Sequence, residues 1–432
     1  ADERTEYRLV RVNNGALNIS GLLPGKRRQD EKHLRPYPVC GIFCALFSGF
    51  LLCGCAASGL KSARRDFYTG KPESAVAILE KAEPDSRNSV LFLMERGMAR
   101  QVSGDYKASV DDWNSAVEIG RDLDVYSIGE GSISLLSNDR AMSFRGAPYE
   151  RTLLHAFAAK SYLAMKLPED AAVEARNIIQ RLENLNGFPD DAYSRYLAGF
   201  CLECVNDLEG AALQYRMASE LLDGISIEDA TGKITRVQTG GNISAKKKTG
   251  EIPAAANRNR FELVCFIASG RAPGRSQAQG GKHPAATHPY AEIYSGGKLL
   301  GRSYTFSDTY DLMAKTEKRL AAVRIVKDTA RIIIKDTAAD ALSKQNELLG
   351  ELLRWFLFVL ESPDRRHWAT LPRWLQVARV SCPPDISGYT LVFRNHDGRI
   401  TGRRKVEKPL VPQRSVYVSF YREIRPSVLI SK

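Results

Sequence analysis

The stretch Tyr68-Thr69-Gly70-Lys71-Pro72-Glu73-Ser74-Ala75 reads as a helix end, a turn and a helix start. Gly closes the first helix because it takes a left-handed backbone at no steric cost. Pro opens the next because a first-turn N–H has no partner within the helix. The same punctuation returns at Ser103-Gly104-Asp105-Tyr106-Lys107-Ala108, at Leu167-Pro168-Glu169-Asp170-Ala171 and at Asp207-Leu208-Glu209-Gly210-Ala211. Ala75 and Ala108 stand 33 positions apart, and Ala171 and Ala211 stand 40 apart. From Ser58 to about Gly224, apolar residues recur at helical spacing. A small Ala just inside the second helix lets two helices approach closely. A lone pair cannot bury its apolar face, so pairs stack.

This segment resembles tetratricopeptide repeats, whose period is roughly 34 residues; the alternative is a generic helical bundle. Asp122 to Pro148 interrupts the array and is too long for an inter-helix turn. It is expected to be a loop lying across the concave face, where helical solenoids hold their partners. Its Arg140 and Arg145, together with Tyr149 and Glu150 at the start of the following helix, are candidate partner-binding residues. An acidic side chain at that start suits the helix dipole. Cys201-x-x-Cys204 falls near the C-terminal end of a predicted helix, whereas a redox pair needs a helix N-terminus to stabilise its thiolate. A packing role is expected there.

Gly224 to Arg260 lacks periodicity and reads as a linker or mobile loop. Strands are expected at 261–268, 290–294, 374–380, 388–395, 399–405 and 415–422, and helices at 307–343 and 346–361. Within the first of these helices, Val326-Lys327-Asp328-Thr329-Ala330 recurs as Ile334-Lys335-Asp336-Thr337-Ala338, a local duplication. Between the second helix and the next strand stands Asp364-Arg365-Arg366-His367-Trp368-Ala369-Thr370-Leu371-Pro372. Trp368 is expected in the core, between the 346–361 helix and an antiparallel meander. The competing reading makes Arg366, His367 and Trp368 part of a ligand pocket, because Trp beside Arg suits stacking on a sugar. No catalytic constellation, metal set or cofactor loop emerges, and no cofactor is expected.

Val39 to Cys55 is an uncharged run that follows the basic segment Lys26 to Arg35 and ends in Leu52-Cys53-Gly54-Cys55. A basic region, an apolar region and then small residues is the layout of a secretory signal. At about 17 residues the run is at the short edge of what spans a bilayer. Its end resembles a bacterial lipobox, which implies cleavage before Cys55 and lipidation of Cys55. Ala1 to Gly25 is assigned no fold.

The lipobox-like end, the degenerate helical pairs, Tyr149-Glu150 after a long loop, and the Asp364 to Pro372 motif coincide. Together they resemble an uncharacterised family of bacterial tetratricopeptide lipoproteins, over about Leu51 to Phe420. The expected architecture is multi-domain α + α/β: an N-terminal extension and signal (1–54), a TPR-like α-solenoid (55–224), a linker (225–260) and a smaller α+β domain with an antiparallel meander (261–432). The formal net charge is +12, from 62 Lys+Arg against 50 Asp+Glu, and its spread along the chain matches no nucleic-acid motif. The expected function is a lipid-anchored interaction scaffold on the periplasmic side of the outer membrane. Its partner would be an envelope protein or peptide; the alternative is a C-terminal domain that binds or processes a cell-wall glycan. Cys55→Ser is expected to abolish incorporation of a fatty-acid probe, measured by gel fluorescence; label persisting on the variant would remove the anchor.

Overall fold

A computed structural model describes residues 54–129, 143–237, 261–272, 274, 288–321, 365–407, 411–413 and 415–424. Cys53–Lys432 forms one compact unit. The basic segment, the apolar run to Leu52, the Val326–Ala338 duplication and the 346–361 helix lie outside the described residues.

Helices come in pairs: α1 (Gly54–Tyr68) with α2 (Pro72–Lys81), α3 (Ser89–Ser103) with α4 (Tyr106–Gly129), α5 (Pro148–Ala164) with α6 (Pro168–Glu183), and α7 (Ala192–Cys204) with α8 (Leu208–Glu220). Each hinge contains one residue in left-handed backbone: Gly70, Gly104, Lys166 and Asn206, with φ of 81°, 90°, 63° and 67°. The second helix opens two residues later, and five residues on a small side chain is buried: Ala75, Ser109, Ala171 and Ala211. The position equivalent to Ala75 is therefore Ser109 and not the half-buried Ala108. A hydroxyl is tolerated among the alanines because Ser109 Oγ donates to Tyr106 O at 2.7 Å and meets Ser161 Oγ at 2.9 Å.

The small residue on the first helix recurs as well. Ala63, Gly97, Ala159 and Gly199 are all buried, each twelve positions before its partner in the second helix. Four positions beyond that partner stand Leu79, Trp113, Ala175 and Tyr215. Where the last is aromatic, the first is glycine. A Cβ on Gly97 would stand 2.3 Å from Trp113 Nε1, and one on Gly199 would stand 2.9 Å from Tyr215 Cε1. Volume is exchanged across the pair to keep the core close-packed. The expected loop from Asp122 is in part helix, since α4 runs on to Gly129.

After α8 comes the hairpin β1 (Ile225–Ile227) and β2 (Ile234–Arg236), inside the stretch read from sequence as linker. Strands β3 (Phe261–Ser269), β4 (Tyr290–Ser295), β5 (Lys298–Arg302), β6 (Tyr304–Asp308), β7 (Trp374–Cys382), β8 (Tyr389–Arg394), β9 (Ile400–Val406), β10 (Val411–Gln413) and β11 (Val416–Arg422) follow. Helical backbone covers 309–321, so the helix expected from Ser307 is preceded by a strand.

The strands form a five-stranded mixed sheet, in the order β10-β11-β3-β7-β6, and a four-stranded antiparallel sheet, in the order β5-β4-β8-β9. The meander expectation is corrected: β7 and β11 belong to one sheet, β8 and β9 to the other, and β11 returns parallel to β3. The reason lies in β3, which is buried on both faces. Its Val264, Phe266 and Ala268 pack with the helices, while Leu263, Cys265 and Ile267 pack against β4 and β8. The result is three layers, with helices, five-stranded sheet and four-stranded sheet in that order. Helices and large sheet share one apolar cluster, so the boundaries 55–224 and 261–432 mark changes of secondary structure within one packed unit.

Gly97→Ala gains helix propensity of about 1 kcal/mol but forces the Trp113 indole to move, and overpacking of this kind costs about 1–3 kcal/mol. A net loss of up to about 2 kcal/mol is expected, read as a lower urea midpoint with an unchanged slope.

Candidate functional site

Two carboxylates on first helices of the array hold the segment that leads into β7. Glu150 Oε2 accepts from Ala147 N at 2.7 Å, which closes the start of α5, and Oε1 accepts from Trp368 N at 2.7 Å. Glu95 on α3 accepts from Ala369 N at 2.9 Å and Thr370 N at 3.2 Å, and pairs with Arg64 Nη2 at 2.6 Å. Tyr68 donates its hydroxyl to Ala369 O at 2.7 Å. Between these contacts the Trp368 ring is fully buried against Trp113 and Phe157, with centroids 6.4 and 5.7 Å away.

The two candidate clusters read from sequence thus meet in space. Glu150 touches Trp368, while Arg366, half-buried, donates to Arg87 O at 2.9 Å and Asn88 Oδ1 at 3.0 Å. Their role is corrected: Glu150 and Trp368 are 0% exposed and Tyr149 is 4% exposed, so these three present no surface to a partner or a sugar. Trp368 is in the core as expected, but its neighbours Trp113 and Phe157 belong to the helical array. Arg145 is half-buried, and Arg140 lies outside the described residues. Cys55 falls in the first turn of α1, and its side chain is outside the description.

The consequence for the array is general. The face formed by its first helices, where a solenoid would hold a partner, packs against the chain's own 365–373 segment and large sheet. Tyr193, Tyr196 and Phe200 of α7 meet Phe266 of β3 edge-on, with ring centroids 5.9, 6.3 and 5.6 Å away. Arg379 of β7 donates to Glu203 of α7 through both Nη atoms, at 2.8 and 2.9 Å, and through Nε to Glu262 at 2.7 Å.

One gap stays open in this contact. A cleft of about 530 Å³ lies between α5 and the edge of the sheet, walled by Phe157, Phe266, Val418 and Phe420. Lys160 lines it at 5% exposure, with Nζ 3.6 Å above the Phe157 ring and 5.7 Å from the Tyr193 ring centroid. Burial, reinforced by the nearby Arg422 charge, pushes this amine well below the ordinary lysine range. Sequence reading passed over Lys160, yet the signal was present. It is the one Lys, Arg, Asp or Glu in Leu153-Leu154-His155-Ala156-Phe157-Ala158-Ala159-Lys160-Ser161-Tyr162-Leu163.

A second, more polar hollow of about 460 Å³ opens beside His155, whose Nδ1 meets Glu174 Oε2 at 2.6 Å. Burial pushes His155 below its ordinary value, against the pull of Glu174. The pair ties α5 to α6. Burial raises the Cys201 thiol well above its ordinary value, Cys265 to about 12 and Cys382 to about 11. Cys201 of the Cys201-x-x-Cys204 motif thus lacks the lowered pKa of a redox thiolate. Among the described residues no group of three or more His, Cys, Asp or Glu could hold a metal ion.

No protein-family model matches this chain. Comparison with curated proteins also gives no match. Among solved structures, MamA (residues 41 to the end) from Desulfovibrio magneticus RS-1 and a double mutant of MamA RS-1 are similar at 16% identity. Each alignment covers 39% of this chain and 75% of the other, at a TM-score of 0.28, too low to support any argument. The paired-helix class rests on the four hinges and buried small residues described above.

The buried amine gives a test with a defined sign. In the unfolded chain Lys160 keeps its proton up to about pH 10.4, whereas in the fold it releases it at lower pH. Between those values the unfolded chain binds more protons, so this group's contribution to stability rises with pH. Lys160→Met removes the burial penalty at nearly constant length. Its melting temperature is expected to exceed that of the native chain at pH 7, with the gain vanishing as the pH approaches about 10.4.

Proposed function

We propose that this chain is a lipid-tethered protein of the bacterial cell envelope, held at the periplasmic side of the outer membrane through Cys55. It acts as an interaction scaffold for an envelope protein, and it is a binding protein and not an enzyme. The tether rests on the sequence from Lys26 to Cys55. No helix among the described residues is long and apolar enough to cross a membrane, and a lipid on Cys55 is the attachment this reading supplies.

The observation that carries the scaffold reading is on the second helices. Because the first helices are covered by the chain's own sheet, the partner surface moves to the other side of the array. Val173 on α6 and Leu213 on α8, 52% and 48% exposed, occupy equivalent positions of neighbouring pairs. Leu167 before α6, Leu208 at the start of α8 and Leu221 after its end are also exposed, at 41–45%. Large aliphatic side chains exposed together in repeat register are a partner-facing feature, whereas isolated ones need no explanation. An apolar face of a helix or extended segment is the complementary chemistry.

Val173→Glu combined with Leu213→Glu is expected to reduce co-purification of envelope proteins at least tenfold, with circular dichroism and melting temperature unchanged. Quantitative mass spectrometry of the captured proteins, native chain against variant, is the measurement. An unchanged capture profile would remove this pair from the binding surface.

A further inference from the structure

We propose that the cleft between α5 and the large sheet binds a small carboxylate with an apolar body, its head group on the Lys160 ammonium. The inference is independent of the scaffold reading, which concerns the opposite side of the helices. It begins with what surrounds Lys160. The residue lies in an apolar helix face with Ala156, Phe157, Ala159 and Leu163, each of them buried. Among the described residues no oxygen accepts a hydrogen bond from its Nζ, which lies beside the Phe157 and Tyr193 rings with the Arg422 charge near it. Ring faces offset part of the cost of desolvating a cation, but a carboxylate offsets far more.

The rest of the wall narrows the ligand. Arg422 also lines the cleft, but its Nη1 donates to Gly270 O and Glu423 O, and its Nη2 to Thr370 O, at 2.9, 3.0 and 3.3 Å. Lys405 is held by Glu407 at 2.6 Å. Gln101 spends its amide on Phe157 O and Ser161 Oγ, and Ser419 Oγ meets Tyr389 OH. Lys166 is exposed. Lys160 is therefore the buried amine of a mainly aliphatic and aromatic enclosure. Arg422, whose Nη atoms are held by backbone carbonyls while its buried Nε has no partner among the described residues, adds positive potential beside it; this suits a carboxylate with an apolar body. The volume of about 530 Å³ falls in the range of pockets that enclose small ligands.

Isothermal titration of the full chain with dodecanoate and with uncharged dodecanamide tests this directly. Saturable binding of one dodecanoate per chain is expected, at least tenfold tighter than dodecanamide. Lys160→Met should lose that preference while retaining the circular dichroism spectrum of the native chain. An apolar tetrapeptide, free acid against C-terminal amide, distinguishes the source of the carboxylate. A preference for the free acid, stronger than for dodecanoate and lost in Lys160→Met, assigns it to a chain terminus. Absence of saturable binding by both acids, equal binding of acid and neutral forms to the native chain, or an acid preference that survives Lys160→Met overturns the proposal.

Discussion

Three backbone N–H groups, those of Trp368, Ala369 and Thr370, are buried against the helical array. Left unpaired in that setting, each would cost as much as a lost hydrogen bond. Glu95 and Glu150 take all three, from two different helix pairs, and Arg64 supplies countercharge to Glu95. This contact fixes where the chain enters β7, and β7 is the antiparallel neighbour of β3 through nine residues. The placement of the central sheet against the helices thus follows from two side chains and a buried indole.

The same requirement explains why β3 and β7 are apolar on both faces. A sheet covered on one side would alternate apolar and polar residues. Here Phe266 and Val377 meet the helices while Cys265 and Ala378 meet the second sheet, so the strands sit in the middle layer. The charged exception, Arg379, is buried only because Glu203 and Glu262 reach it from opposite elements. Removing one partner would leave that charge stranded, which makes the α7–β7 contact all-or-none.

Local features of this architecture were readable along the chain. The strands at 261–269, 374–382 and 416–422 follow from β-branched and aromatic runs, and the hinges at Gly70 and Gly104 follow from glycine. The hinges at Lys166 and Asn206 adopt the same left-handed backbone without glycine, so only the Pro or acidic residues after them marked the turn. The parallel return of β11 beside β3 is a long-range pairing that alternation cannot disclose. For the site, Glu150, Arg366 and Trp368 drew notice for good reason. A carboxylate at a helix start and a Trp beside Arg are equally the chemistry of recognition and of an internal latch. Burial alone decides between them. Glu95 carried no such flag, because one acidic residue in an amphipathic helix usually faces water.

The latch joins residues that are far apart in sequence. Arg64 Nη2 donates to His367 O and Tyr68 to Ala369 O, across separations of 303 and 301 residues. Closing such contacts is slow, because the loop entropy precedes any reward. Trp113 and Phe157 are sealed by Trp368, which is synthesised long after them. The growing chain therefore passes through a stage in which the helix pairs are complete but their inner aromatic face is bare. That stage is exposed to premature association, the hazard of long-range topologies. A chain ending before residue 368 would be held in it permanently, as a stack of helices with no cover.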